Sequence, residues 1–551
     1  MELGIDFGTT FSTVCYGSVG EGEDSCLSLA GSVYIPTEIF LYEDGTYSIG
    51  NRGKSAFRNN EKGDLFLNPK RWVGCNVRNI HNYVKNLNYD KSKVRAVGNN
   101  GAELKGTDEN SNTFVSITSL IAMFIRACMI EVEDIAKIKV TGVVCSVPAK
   151  YNSFKRSYLA VALKRLGVPL RALINEPTAA ALFGLYNSGN SEGNVAIFDF
   201  GGGTFDVSYL TKMNSIASVV NSEGDNYLGG RDIDRKIKES IKKKLKGTVS
   251  ETVLDLITAD IKETISVNKH IDSHPILTSN GLEQIVYTID ELNRDSEPFI
   301  DRAINVFLKG VEAIKKGDTR PLKFLVILTG GSSALPLVTD KVRKLKEVSE
   351  VVFDLKTFRA SVALGAKIYS DILSGKSDLR LVDSLSQTLS DEIMLGRSVV
   401  VFPKSCSIPN KNTISFSVGS NRNIDYGIFE GENPRTWMNE LTFKSVDTRP
   451  SGDPNNATVV YELSIDGRLK LTVNGREQKN LFEPDPPDEK YLKLRYRKDS
   501  DKYLEESMKL YLKLIRVLHD SEITLEHIKE NKGPFLDTEI EELYDLRVKK
   551  T

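Results

Sequence analysis

The sequence predicts an α/β protein of two lobes, followed by an all-β unit and a short α-helical C-terminal segment. Three observations carry this. Residues 1–377 alternate short β-rich runs with helical stretches, the pattern of strands covered by helices. A break at Ser374-Gly375-Lys376-Ser377 and the segment Asp378–Asp383 then precede short alternating strands over 384–479, with turns at Ile408-Pro409-Asn410, Glu430-Gly431-Glu432 and Ile465-Asp466-Gly467. After Pro484, Pro486 and Pro487, Leu504, Met508, Tyr511, Leu512, Ile515 and Leu518 recur at helical spacing. The expected organisation is therefore 1–377, a connector 378–383, a β unit 384–479 and a helical segment 480–551.

Within the first unit the strand candidates are Leu3–Asp6, Ser12–Tyr16, Val140–Ser146, Val195–Asp199, Asp206–Tyr209 and Phe324–Thr329, with helices over Thr118–Ile130 and Phe154–Leu166. A chain of 551 residues exceeds one compact core. Lys and Arg number 73 against 74 Asp and Glu, which excludes a polyelectrolyte tail or a basic nucleic-acid coat as the main character. Cys15, Cys26, Cys75, Cys128, Cys145 and Cys406 form no Cys-x-x-Cys pair and are expected as reduced, mostly buried thiols of a cytosolic protein. The start lacks the pattern of a signal peptide, and the apolar run Val115–Ile125 stops at Arg126, too short to span a bilayer.

An internal echo carries the chemistry. Gly4-Ile5-Asp6-Phe7-Gly8-Thr9-Thr10-Phe11-Ser12 is matched by Ile197-Phe198-Asp199-Phe200-Gly201-Gly202-Gly203-Thr204-Phe205-Asp206. In both, an apolar strand ends in Asp, turns on Gly, offers Thr hydroxyls and re-enters a strand. Glycine lets backbone N–H groups crowd against phosphate oxygens, and an Asp at the strand end can hold Mg²⁺ through water. The pair predicts a duplicated fold that clamps a triphosphate between two lobes. A third motif runs from the strand Phe324–Thr329 through Gly330-Gly331-Ser332-Ser333 toward a helix, whose N-terminus favours an anion. A fourth turn, Gly224–Gly230, ends in Gly229-Gly230 and can approach the sugar. Gly50-Asn51-Arg52-Gly53-Lys54-Ser55 is rejected as a P-loop because two residues, not four, separate its glycines.

In combination and order these residues resemble the DnaK-type heat-shock chaperone family. The resemblance covers nearly all of 1–378 and continues more weakly to about 478. Asn68-Pro69-Lys70-Arg71 resembles the segment of the family's catalytic lysine. Val147-Pro148-Ala149 followed by Arg156 resembles its relay between nucleotide and second domain. Asn175-Glu176-Pro177-Thr178 carries the matching glutamate, and Asp378–Asp383 resembles its interdomain linker. Phe7 and Phe11, the run Tyr151–Arg156 and the short tail are most similar to the heat-shock homologues encoded by plant closteroviruses, in the leafroll-type ampelovirus branch.

The resemblance implies an actin-like two-lobed ATPase domain, a substrate-binding-like β-sandwich and a shortened lid. It implies ATP and ADP as ligands with Mg²⁺, and K⁺ as a candidate second ion. Lys70 would lie near the γ-phosphate, and Glu176 and Asp199 would orient or deprotonate the attacking water. Asp6, Asp199 and Asp206 would hold Mg²⁺ through water, while Thr9 and Thr204 donate to γ-phosphate oxygens. Gly8, Thr10, Gly201, Gly202, Gly203, Gly229, Gly230, Lys262, Ser266, Gly330, Gly331 and Ser332 would complete the nucleotide site, with Pro148 and Arg156 as the allosteric relay. Two arginines that clamp adenine in the family are replaced here by Glu263 and Ala334, and a ribose-binding glutamate by Ala259. Each lost cation–π stack is worth ~0.5–2 kcal/mol, so base recognition is expected to be loosened while triphosphate recognition persists.

For partners, the resemblance implies viral coat proteins and other virion-tip proteins, in virion assembly and in cell-to-cell movement through plasmodesmata. The host cytoplasm, plasmodesmata and the virion tip are the implied locations. Extended polypeptide in the β unit, a host co-chaperone and the cytoskeleton are further candidates, and direct RNA contact stays open. The alternatives are a general ATP-dependent folding chaperone and a scaffold that binds nucleotide without hydrolysis. The basic stretch Arg235–Lys246 reads first as a solvated helix face, since Ile237, Ile241 and Leu245 recur at i, i+4 and i+8, with an RNA or membrane contact as the alternative. His270 and His274 lack further ligands nearby and are not expected to bind metal.

Overall fold

The computed structural model describes residues 1–498 apart from 60, 88, 99, 108–111, 188–192, 250, 269–271, 317–320, 355–357, 395–396, 418–422, 434–439, 449–455 and 479–481. The helical pattern expected at Leu504–Leu518 and the side chain of His270 lie outside the described residues.

The architecture is mixed α/β, and two of its sheets repeat one topology. The first runs Leu170–Asn175, Gly142–Val147, Glu2–Asp6, Phe11–Cys15 and Ile35–Pro36 in spatial order. The second runs Val348–Val352, Phe324–Thr329, Gly193–Phe200, Phe205–Met213 and Ile216–Asp225, then Arg380–Ser384 and Ser407–Ile408. In each, a central strand pairs in parallel on one side and opens an antiparallel hairpin on the other. The strand ending in Asp6 and the strand containing Asp199 hold equivalent places. The duplication read from the two Asp–Gly–Thr motifs is therefore a duplication of sheets.

The helices follow local rules. Ile117–Ala136 begins at Ser116, whose side chain accepts from the Ser119 N–H, and the expected apolar run is its buried face. Full burial of each such Leu, Ile or Phe contributes about 1.5–3 kcal/mol. Among the described residues no helix is long and apolar enough to cross a membrane. Ser153–Leu166 starts where the Asn152 side chain accepts from the Lys155 N–H (2.9 Å) and ends at Gly167 in a left-handed conformation (φ 72°). The basic stretch lies on Gly230–Lys244, where Ile233, Ile237 and Ile241 are buried and Lys236 and Lys244 pair with Glu239 and Glu291. Its cations are the solvated face of a core helix. The rejected P-loop segment opens the helix Gly50–Arg58.

Apart from Ser407–Ile408, the strands between residues 389 and 477 form two four-stranded antiparallel sheets. Leu389, Phe402 and Ile428 from one meet Tyr461, Leu471 and Val473 from the other in one core. Two segments carry strands that the sequence reading did not place. Within the connector, Arg380–Ser384 is a strand paired in parallel with Ile216–Ser218 and antiparallel with Ser407–Ile408. The alternating Leu379, Leu381 and Asp383 suit a strand as well as a linker. Beyond the sandwich, the chain makes one helical turn, Glu489–Leu492, and then the strand Arg495–Tyr496 beside Thr46–Ile49. The Tyr496 ring packs tilted against Tyr47 with centroids 5.4 Å apart, and Arg126 donates to the Leu494 carbonyl at 2.7 Å. Cys15, Cys26, Cys75, Cys128 and Cys145 are buried free thiols, and Cys406 is half-buried.

Candidate functional site

The two Asp–Gly–Thr turns face each other across the junction of the repeated sheets. A Cβ on Gly202 would stand 2.8 Å from Thr10 Oγ1, and one on Gly203 would stand 3.3 Å from Thr9 Oγ1. Only glycine lets the two turns approach this closely. The other Gly motifs converge here. Gly230 N–H donates to the Gly201 carbonyl (3.0 Å) and Arg231 N–H to the Gly202 carbonyl (3.0 Å). A Cβ on Gly229 would stand 2.5 Å from the Gly203 nitrogen. Ser332 Oγ donates to the Gly201 carbonyl (2.9 Å), and Gly330, at φ 82°, lies against Asp199 and Phe200. Gly331 faces open space.

Four carboxylates and one ammonium fill the floor. Asp199, Asp206, Glu176 and Lys70 are buried, and Asp6 is half-buried beside them. Lys70 sits in the short turn Pro69–Trp72, launched by Asn68 in a left-handed conformation (φ 52°), and its Nζ donates to Glu176. Burial works against the Lys70 charge, but Glu176, Tyr151 and Asp6 hold the ammonium above its ordinary range. Burial, with Glu176 next, pushes Asp206 up to about 7 and Asp6 up to about 6. Asp199 is raised well above the usual carboxylate range by burial and by Glu176, Asp206 and Asp6. Ser146 Oγ donates to Asp6 Oδ1 (2.7 Å), whereas both buried oxygens of Asp206 lack a hydrogen-bond partner. A buried carboxylate pair of lone oxygens beside two more acids fits a hydrated divalent cation. Among the described residues no three His, Cys, Asp or Glu side chains converge to hold an ion directly.

A cavity of about 50 Å³ opens beside Lys70, lined in part by Thr9, Arg71, Pro148, Tyr151 and Thr204. Lys262 lies by Gly230 and pairs with Asp234 at 2.5 Å, while Ser266 Oγ donates to the Lys262 carbonyl one turn back on the helix Glu251–Asn268. Ala259 and Glu263 share that helix, and Ala334 ends the turn Gly331–Ala334. Three contributors were missed in the sequence. Arg231 bridges the lobes, donating to Asn68 Oδ1 and to Thr10 Oγ1 (3.3 Å). Ser146 anchors Asp6, and Tyr151 packs at Lys70. Arg231 directly follows Gly229-Gly230, a local signal; the other two had none.

From this floor a polar path leads to the sandwich. Asn175 and Glu176 are consecutive at the end of Leu170–Asn175 and the start of Glu176–Asn187. Glu176 takes the Lys70 proton contact, while Asn175 Nδ2 donates to Asp383 (3.1 Å) and its Oδ1 accepts from Arg156 (2.6 Å). Arg156 also donates to the Ala149 carbonyl (3.2 Å) and across to the Asp466 carbonyl of the sandwich (3.3 Å). Burial raises Asp383 to about 6 against the pull of the Ser384 N–H, Arg156 and Asn175. Ser386 donates to the same Ala149 carbonyl, Ser153 N–H to Glu430 (3.1 Å), and Lys404 pairs with Glu223.

Comparison with known proteins accounts for this combination. Residues 2–481 match the Hsp70 protein family. The chain is 42% identical over 545 residues, covering 98% of itself and 97% of the relative, to the movement protein Hsp70h of Grapevine leafroll-associated virus 3. It is 32% identical over 457 residues (80% and 75%) to the movement protein Hsp70h of Beet yellows virus. It is 29% identical over 490 residues (87% and 85%) to that of Lettuce infectious yellows virus. With facing Asp–Gly–Thr turns and a family match over most of its length, the chain belongs to the Hsp70 family.

Proposed function

We propose that this chain is a viral movement protein of the Hsp70 type that hydrolyses ATP with Mg²⁺ and passes the state of its phosphate site to the β-sandwich. The names of its relatives support the movement role. On this reading the partners are viral coat proteins and other virion-tip proteins, and the sites of action are the host cytoplasm, plasmodesmata and virion tip. The general folding chaperone is the lesser reading.

The chain's own groups then act as follows. N–H groups of the turns at Gly8–Thr10 and Gly201–Thr204, with the Thr9 and Thr204 hydroxyls, hold phosphate oxygens. Lys70, fixed by Glu176, places its ammonium where charge develops on the transferred phosphoryl group. Asp199 is protonated more readily than an ordinary carboxylate, which suits it to take the proton of the attacking water. Asp6, Asp199 and Asp206 would hold Mg²⁺ through water, and the ion would neutralise charge on the phosphates. The reaction is transfer of a phosphoryl group to water by positioning and charge, without a covalent intermediate.

The observation that carries the coupling is the pair Asn175–Glu176, one facing Asp383 and Arg156, the other Lys70. A shift of Glu176 on loss of the γ-phosphate moves its neighbour and loosens the strand Arg380–Ser384. The test is single-turnover ATP hydrolysis with Mg²⁺ by the full chain beside Lys70→Ala and Asp199→Asn. Each variant is expected to lose about a hundredfold in rate while still binding nucleotide. Wild type and variants equally inert with nucleotide bound would make the first unit a ligand-sensing scaffold instead.

A further inference from the structure

Arg359 belongs to none of the phosphate motifs, yet it stands at the edge of the site. Thr329, the last residue before Gly330-Gly331, donates from its hydroxyl to the Phe358 carbonyl (2.9 Å), which fixes Arg359 beside that turn. The Arg359 guanidinium lies 5.5 Å from the ring centre of Tyr34 and 5.4 Å from that of Phe358. It also reaches Glu263 at 3.8 Å, with 28% of its side chain still exposed. Tyr34 directly precedes a strand of the first sheet and donates its hydroxyl to Glu23. Glu263 is on the helix Glu251–Asn268, next to Lys262, which faces Asp234 and Gly230. Tyr34, Arg359 and Glu263 thus span the cleft from one lobe to the other, just beyond the residues that ring the phosphate turns.

The chemistry of this trio is specific. Lys70 and Glu176 close the other side of the facing turns. A nucleotide with its phosphates on those turns and its terminal phosphate toward Lys70 therefore directs its base to the side of Ser332 and Lys262, where Arg359 stands. A guanidinium is planar, permanently charged and stacks on aromatic faces. The acid at 263 and the rings at 34 and 358 hold the guanidinium, and 28% of the side chain stays exposed.

We propose that Arg359 is the base-binding residue, stacking on the purine face while Glu263 and Tyr34 hold the guanidinium. This rests on the nucleotide-binding reading above. Recognition through a ring face accepts adenine and guanine alike, so selectivity between ATP and GTP is weak.

The test is calorimetric titration of the full chain with Mg·ATP, Mg·GTP and Mg·triphosphate without a base, using wild type, Arg359→Ala and Arg359→Lys. In Arg359→Ala, ATP and GTP are expected to weaken by the same factor, about five- to thirty-fold, with inorganic triphosphate unchanged. Arg359→Lys keeps the charge but not the plane, and is expected to fall with Arg359→Ala. Unchanged ATP binding in both variants, or loss in ATP alone, overturns the proposal while leaving nucleotide binding intact. Equal loss for inorganic triphosphate also overturns it, since the effect then lies at the phosphates. Wild type that binds none of the three overturns the nucleotide-binding reading itself.

Discussion

The phosphate end and the outer end of the cleft are built on opposite principles. At the phosphate end, Asp6, Thr9, Asp199, Gly202 and Thr204 come from two short motifs in which neighbours in sequence are neighbours in space. At the outer end, Tyr34, Arg359 and Glu263 come from three distant segments and meet only through the fold. The first depends on backbone N–H groups in a tight turn, which tolerate little change of residue. The second depends on a ring or a cation arriving at one place, which any nearby segment can supply. Sites of the first kind keep a readable motif, and sites of the second kind can be rebuilt without one.

Three experiments sharpen that contrast. The largest effect is expected for Gly229→Ala, because the added Cβ would stand 2.5 Å from the Gly203 nitrogen and push the second turn off its partner. Overpacking of this kind costs about 1–3 kcal/mol. Titration with inorganic triphosphate should show roughly ten- to a hundred-fold weaker binding in this variant. Binding within about twofold of wild type would mean that the turns are not close-packed where phosphate binds.

The next effect is on pH. Asp206 near 7 and Asp6 near 6 lie above the usual carboxylate range, so the ligand-free folded state binds protons that the unfolded chain releases. Their contribution is fully present below the unfolded carboxylate pKa and is lost as pH rises through about 6 and then about 7. The melting temperature of the Mg²⁺-free chain should therefore fall between about pH 5.5 and 8, by a few degrees for each kcal/mol lost. With Mg²⁺ and ATP the slope should flatten or reverse, because the ion favours the ionised acids. A Mg²⁺-independent slope in differential scanning calorimetry would remove these aspartates from the ion site.

The smallest effect is expected at Glu263→Gln. The acid is half exposed, at 49% of its side chain, and its pair with Arg359 is screened by water. Nucleotide affinity should change by no more than about threefold, by the same titration. A loss as large as that of Arg359→Ala would make the acid itself a ligand contact.

Both Asp–Gly–Thr hairpins, the Gly330–Ser332 turn and the strands around them could be read from the chain because each rests on local chemistry. Most of those strands form within about two residues of where hydrophobic patterning and glycine placed them, as with Leu3–Asp6 against Glu2–Asp6 and Val195–Asp199 against Gly193–Phe200, whereas Asp206–Tyr209 extends four residues further, to Met213. The family resemblance reached further, to Lys70, Glu176 and Arg156, whose contacts with distant residues no periodicity reveals. Arg231, Ser146 and Arg359 escaped both, since their partners lie far away in sequence.

The chain by itself determined the repeated strand–turn–strand units, the Gly-built approach of the two turns and the acids at the strand ends. These are consequences of steric limits and hydrogen bonding over a few residues. Only the tertiary structure decided that Arg380–Ser384 would be a strand of the second sheet, and that Arg495–Tyr496 would return to the first lobe beside Thr46–Ile49. It also decided that an arginine would reach from beside Gly330 to Tyr34 and Glu263. A strand edge accepts any extended segment that brings a suitable side-chain pattern, and a cation finds an acid or a ring wherever packing leaves one. Such choices follow from which surfaces meet.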